Sequence, residues 1–338
     1  MNKITTALFA SYQARRTKAQ KNSFAQYVCA SAAECGFVAK VEKTKNKASN
    51  IVVGDVSGAS VIYTAHYDTA SASFVPSFIF PKAPILSKLY QIAVGLAMLV
   101  PSVIAYVLGA VLLPAVASGI PKSVCALVGI VLAAAAFVVS MRFVLCGKPC
   151  ENTANANTSG VATLFETMAK MPLEYKSKVA FVFLDAQENG FIGAADFAKA
   201  HKQVKNKFVL NFDCVGEGES FVVATRKADD YMEALTAAFA SKDGIEVNIM
   251  KGGNRIPSDH NKFKHSAGVS AFTKKGESLS LKIKNDGTDT VYSEKNIDFA
   301  SDAAVNTVKY IANPGAIGLD RIYAEKNAEA AAQEETQA

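Results

Sequence analysis

Four places in this chain carry side chains of the kind that hold a metal ion: His66 with Asp68, Glu188, Asp213 and His260. The first three follow short apolar runs at residues 61–65, 179–184 and 208–212. Such runs, without polar alternation, read as strands buried on both faces of a sheet. Polar groups just past the carboxyl ends of these strands lie where open α/β sheets place their ligands. His66 and Asp68, two residues apart, point the same way because strand side chains alternate with a period of two. That spacing suits a metal ligand and the carboxylate that orients it. Imidazole and carboxylate along one sheet edge suit zinc, which keeps an open position when it is catalytic. Of the four histidines, His201 at a helix end and His265 beside Lys264 lack such company and read as exposed.

The elements that must position these residues can be read around them. A helix is expected over residues 4–35, then strands at 37–41 and 51–53 on either side of a basic turn. Past Ser159-Gly160, the stripe Val161, Leu164, Phe165 and Met168 marks an amphipathic helix over 161–171. Further helices are expected at 191–201, 229–240 and 299–312. Further strands are expected at 221–224, 245–250, 269–272 and 279–283. Strand and helix alternating with short links argue for a three-layer α/β/α domain with a mostly parallel, mixed sheet.

Half of the residues are hydrophobic, which calls for a search for membrane segments. Leu89 to Pro121 holds no charged residue, nor does Ser123 to Met141, and Lys122 alone separates them. Each stretch reaches the roughly 20 residues needed to span a hydrocarbon core. The expectation is a transmembrane hairpin over 81–148, with helices at about 89–117 and 123–145. It divides the sheet domain into a first part (1–80) and a second part (149–322), and residues 323–338 read as a disordered tail. Lys82, Lys88, Arg142 and Lys148 flank the feet of the hairpin against Lys122 at its tip. The positive-inside rule therefore places a multi-pass protein in the cell membrane with its sheet domain in the cytoplasm. Gly95, Gly109 and Gly129 offer small surfaces, but without a Gly-x-x-x-Gly they give no support for helix pairing. The net charge of +6 is spread along the chain without an arginine-aromatic cluster, which argues against nucleic acid as a partner.

Five segments in order resemble the cocatalytic-zinc aminopeptidase family that includes bacterial leucyl aminopeptidases and aminopeptidase Y. They are Thr64-Ala65-His66-Tyr67-Asp68-Thr69, Asn157-Thr158-Ser159-Gly160-Val161-Ala162, Phe183-Leu184-Asp185 through Glu188 to Gly190, Asn211-Phe212-Asp213, and Ser258-Asp259-His260 to Phe263. The similarity runs from about residue 20 to 312 apart from the hairpin, which looks like an insertion. It implies two zinc ions, one held by His66 and Asp213 and the other by Glu188 and His260, with Asp68 beside them. It also implies a bridging aspartate before the Asn-x-Ser-Gly segment and a glutamate general base before Glu188. The base would take a proton from a metal-bound water attacking the peptide carbonyl.

The chain departs from that pattern where the chemistry is done. Ala156 stands at the bridging position and Gln187 at the general-base position, and Asn285 replaces a histidine, not a primary ligand, usual four residues before Asp289-Thr290. A methyl group cannot ligate a metal. Glutamine has the shape of glutamate but cannot accept the proton, and a positioned base is worth roughly 10² to 10⁴ in rate. Two expectations follow. One is a membrane-anchored zinc aminopeptidase impaired at these positions. The other is a pseudopeptidase, a membrane-tethered module that binds peptide or protein amino termini without cleaving them.

Overall fold

The computed structural model describes residues 1–73, 75–117 and 119–320, without the side chains of 143–146. The expected tail at 323–338 lies outside the described residues. Ten strands form one sheet: β1 (Ala39–Lys43), β2 (Ser49–Gly54), β3 (Val61–His66), β4 (Ser77–Ile79), β5 (Val179–Leu184), β6 (Phe208–Phe212), β7 (Ser220–Arg226), β8 (Glu246–Lys251), β9 (His265–Lys275) and β10 (Ser278–Ile283). Their order is β1-β2-β5-β3-β6-β9-β10-β4, and β7 pairs with both β9 and β8.

The centre of the sheet, β5-β3-β6-β9, is parallel, but β1/β2, β2/β5, β7/β9, β9/β10 and β10/β4 are antiparallel. The pair β7/β8 is parallel as well. The expected mixed sheet is borne out, but antiparallel pairs outnumber parallel ones, so the expectation that it is mostly parallel is corrected. Short links account for β1/β2 and β9/β10, the latter joined through Gly276 and Glu277 alone. Only antiparallel neighbours can be connected so tightly, because a parallel pair needs a long crossover.

Alternation divides the central strands between two cores. Val61, Tyr63 and Ala65 of β3 join Phe181 and Phe183 of β5 beneath one helical layer. That layer comprises α1 (Lys3–Ser11), α2 (Lys18–Glu34), α5 (Gly160–Lys170), α7 (Met232–Ala238) and α8 (Glu294–Ala312). Ile62, Ala180, Val182 and Val209 face the opposite way and meet Ala194 and Phe197 of α6 (Ile192–Ala200). The single amino-terminal helix expected over 4–35 is two helices. Thr17 caps α2 by accepting from the Gln20 amide while the Gln20 side chain returns to the Thr17 amide, a capping box.

The apolar insertion forms α3 (Pro84–Val116), with a π-helical stretch at Leu108–Leu112, and α4 (Lys122–Cys146). Their outer surfaces are not covered by the rest of the chain: Leu96, Val103, Leu127 and Val138 are each at least 60% exposed. Two of the small residues do pair, within the hairpin itself. A Cβ placed on Gly109 would lie 2.6 Å from the Gly129 Cα, so the helices cross at backbone contact there. The hairpin foot is fastened to the sheet through β4, which pairs with β10, and through the Ser87 hydroxyl, which accepts from the Phe80 amide at 2.8 Å.

Candidate active site

Because β5, β3 and β6 are adjacent and parallel, their carboxyl ends lie side by side. This brings His66, Asp68, Glu188 and Asp213 to one edge. His66 lies with Nε2 3.6 Å from Asp213 Oδ1 and Nδ1 3.5 Å from Asp68 Oδ1. Burial alone would push the His66 pKa down, but Asp213 and Asp68 outweigh it and hold the imidazolium well above its usual range. Asp213 is correspondingly held well below the usual carboxylate range: burial opposes this, and His66, Ser258 and Cys214 overcome it. The two oxygens of Asp68 accept from the amides of Gln187 and Glu188 at 3.0 and 3.1 Å, fixing the loop beyond β5.

Asp213 is bound by protein donors on its other oxygen. Oδ2 accepts from the Gln187 side-chain amide at 3.1 Å and from the Ser258 hydroxyl at 2.5 Å. Ser258 also lies 3.2 Å from Gln187 Oε1 and accepts from the Asn211 amide, which in turn leaves its carbonyl oxygen to the Thr64 hydroxyl. Ser258 has one proton to give, and the shorter, charge-assisted bond to Asp213 takes it. A glutamate at 187 would set two carboxylates against each other at this distance. The amide instead donates, so the arrangement is satisfied by protein atoms alone.

The remaining predicted site residues separate. Ala156 brings no donor, and its amide and that of Asn155 both donate to Asp289, at 2.9–3.1 Å. The Asn157 side chain locks this loop to β6, donating to the Phe212 carbonyl and accepting from the Gly160 and Cys214 amides. His260 is fully buried. Its Nε2 bonds the Gly253 carbonyl at 3.0 Å, and its Nδ1 has no partner and abuts Gly268, where a Cβ would fall 2.4 Å away. Burial lowers its pKa to about 4. It makes no hydrogen bond or ion pair to Glu188, its expected zinc partner. Asn285, by contrast, lines the same cleft as Glu188.

Desolvation in the recess, and then the charge of Asp68, push the Glu188 carboxyl up to about 7, although the side chain still opens along the cleft. Two supporting residues give little signal in the sequence. Arg15 is fully buried and donates to the carbonyls of Tyr67 and Tyr12 and to Thr158 at 3.0 Å, bracing the strand end that carries His66. Lys21 pairs with buried Asp185 at the root of the Glu188 loop. Both sit in what reads as a basic, ordinary helix, and only the contacts reveal their work.

The residues do not fit two zinc ions. Among the described residues, no three His, Cys, Asp or Glu side chains converge as a metal cage. An ion between His66 and Asp213 would have two protein ligands where catalytic zinc usually has three. The Gln187 amide protons would point at one of those two.

Comparison with known proteins agrees with the fold. No curated protein matches the chain. Among solved structures it is similar to the LapA aminopeptidase of Legionella pneumophila, at 14% identity and a TM-score of 0.54, over 91% of this chain and 70% of that one. It is similar also to a Zn-dependent exopeptidase from Parabacteroides distasonis, at 12% identity and a TM-score of 0.50, over 90% and 95% of the two chains. A glutaminyl cyclase from Porphyromonas gingivalis stands equally near, at 12% identity and a TM-score of 0.52, over 90% and 95%. At such identities the likeness is one of fold, and one fold serves different reactions. The family description "Peptidase family M28" matches residues 140–310, half of the chain, including the loops that carry Glu188, Asp213 and Asn285. The sheet order, the carboxyl-edge cluster and this match together place the chain in peptidase family M28.

Proposed function

We propose that this protein is a membrane-anchored M28-family domain that binds peptide or protein amino termini without hydrolysing them. The observation that carries the reading is Asp213, whose carboxylate is taken up by Gln187, Ser258 and His66, all groups of the protein. Ala156 and Gln187 remove the bridging ligand and the base, and Asn285 replaces an imidazole in the cleft. The membrane part of the reading is supported by α3 and α4, which are long and apolar enough to span and whose most apolar windows are only 6% and 11% buried. A cytoplasmic sheet domain is supported by the basic residues at the hairpin feet. A Lys122→Cys variant should then react with an impermeant maleimide added outside intact cells, and labelling only after lysis refutes the orientation.

The test of the site is a joint measurement of metal content and of amino-acid release from unblocked peptides. The expected result is less than one zinc per chain and no chelator-sensitive release. A second reading, an aminopeptidase disabled only at Ala156 and Gln187, is favoured by the retention of His66, Asp68, Glu188 and Asp213 in one cluster. It requires that Ala156→Asp with Gln187→Glu restore both metal and activity. On the preferred reading the double variant stays silent, because His260 still faces Gly253 and leaves Glu188 without its imidazole partner.

A further inference from the structure

Glu188 of the candidate site, with Asn285, lines a cleft of about 490 Å³ that is not enclosed by the sheet domain alone. It is lined by Glu188, Asn189 and Asn285 from the sheet domain, and by Tyr90, Gln91, Val94 and Met98 of α3. Tyr90, Val94 and Met98 recur every four residues, so they form one stripe of the helix. They are half-buried, whereas Ile92 and Leu96 between them are 58% and 61% exposed. The stripe is held in place from the domain side. The Tyr90 hydroxyl donates to the Pro76 carbonyl at 2.6 Å, its ring meets Phe78 edge-on, and β4 ties this foot to β10, whose end leads to Asn285. From Tyr90 to Met98 the stripe rises by roughly 12 Å, two turns of helix.

We propose that the first membrane helix is a structural wall of the binding cleft, and that the cleft takes the amino-terminal segment of a protein lying at the bilayer surface. This rests on the peptide-binding reading above and names its ligand class. The cleft combines polar groups of the sheet domain, Glu188, Asn189 and Asn285, with the apolar side chains of Val94 and Met98 from the helix read as entering the membrane. An acceptor carboxylate, two amides and the serines of the 71–77 loop match a peptide ammonium and the first backbone groups. Val94 and Met98 match the apolar side chains that follow. A lipid phosphate would call for several cations, and among the cleft residues Arg16 is the single one, with Glu188 opposing it.

The test uses the full chain in lipid nanodiscs and a fluorescent peptide beginning Leu-Leu-Ser with a free amino terminus, alongside its acetylated form. Val94→Trp and Met98→Trp should each weaken binding about tenfold or more by filling the cleft, while Ile92→Trp on the lipid face should leave it within about twofold. Acetylation should abolish the signal. A benzophenone side chain at position 98 should crosslink to the peptide, and one at 96 to lipid, which keeps the test valid where a tryptophan variant misfolds. Tight peptide binding indifferent to positions 94 and 98 overturns the wall and leaves the peptide reading standing. No binding by the unaltered chain overturns the peptide reading itself. Crosslinks from position 98 to lipid alone, with peptide bound, identify the cleft's apolar side chains as lipid contacts and overturn the proposal.

Discussion

Phe181 in β5 and Phe137 in α4 are the same side chain in opposite surroundings, one wholly buried and the other 42% exposed. Phe181 touches the rings of Phe37 and Tyr63 within the sheet core. Phe137 looks outward from a helix whose neighbours along the chain are just as apolar. The sheet domain therefore gains stability by removing apolar surface from water. The hairpin presents apolar surface and needs a non-aqueous partner for it. Truncation separates the two. Phe181→Ala should cost the sheet domain about 3–5 kcal/mol, the usual range for a buried aromatic. Phe137→Ala should leave the same urea midpoint within about 0.5 kcal/mol, because its contacts are the same before and after the domain unfolds. A large effect at Phe137, measured in detergent micelles, would show that the hairpin folds back onto protein.

The hairpin has its own packing, and it is sharper than its composition suggests. Gly109 and Gly129 meet where no Gly-x-x-x-Gly exists, because one glycine from each helix suffices when the helices are antiparallel neighbours. Gly129→Leu should push α3 and α4 apart at a cost of about 1–3 kcal/mol. The loss should appear in the thermal midpoint of the helical signal and leave the sheet domain's urea midpoint unchanged. A shift of both would mean that the two regions unfold together.

How far each region is legible in the sequence follows from how local its signals are. The central strands can be read because uniform apolar runs leave no other place for them, and His66 with Asp68 because the spacing is a property of any strand. The hairpin can be read because charge is absent over two spans. The three residues of β4 cannot, since their pairing with β10 is decided by a segment some two hundred positions away. The direction of His260 depends on Gly253 and Gly268, and the place of Asn285 in the cleft on where β10 ends. No periodicity encodes either. The break between α1 and α2 had a local signal, Thr17-x-x-Gln20, masked by apolar residues that continue at helical spacing on both sides. Thr17→Ala should accordingly cost about 1 kcal/mol in domain stability, the usual worth of such a cap. A change below about 0.3 kcal/mol would mean that packing of Phe24 and Val28, not the cap, sets the start of α2.

The smallest expected effect distinguishes the metal-poor site from a metal-holding one by its sign. His66 has a folded-state pKa raised above its ordinary value of about 6.5. Its contribution to stability is therefore fully present below pH 6.5 and is lost as pH rises through the folded value. Asp68 and Asp213 are depressed, so theirs is present above the ordinary aspartate value and lost only as pH falls through the lower folded values. Between about pH 4 and 6.5 all three contributions coexist. Glu188, raised to about 7, also weakens folding as pH climbs, so His66 must be isolated by difference. The stability advantage of the unaltered chain over His66→Gln should shrink from pH 6.5 to pH 9, read from paired urea midpoints. If His66 instead served as a neutral metal ligand, binding would compete with protons and the advantage would grow over the same interval. An imidazolium between two carboxylates and an imidazole on zinc share one geometry of neighbours, and only the direction of this slope tells them apart.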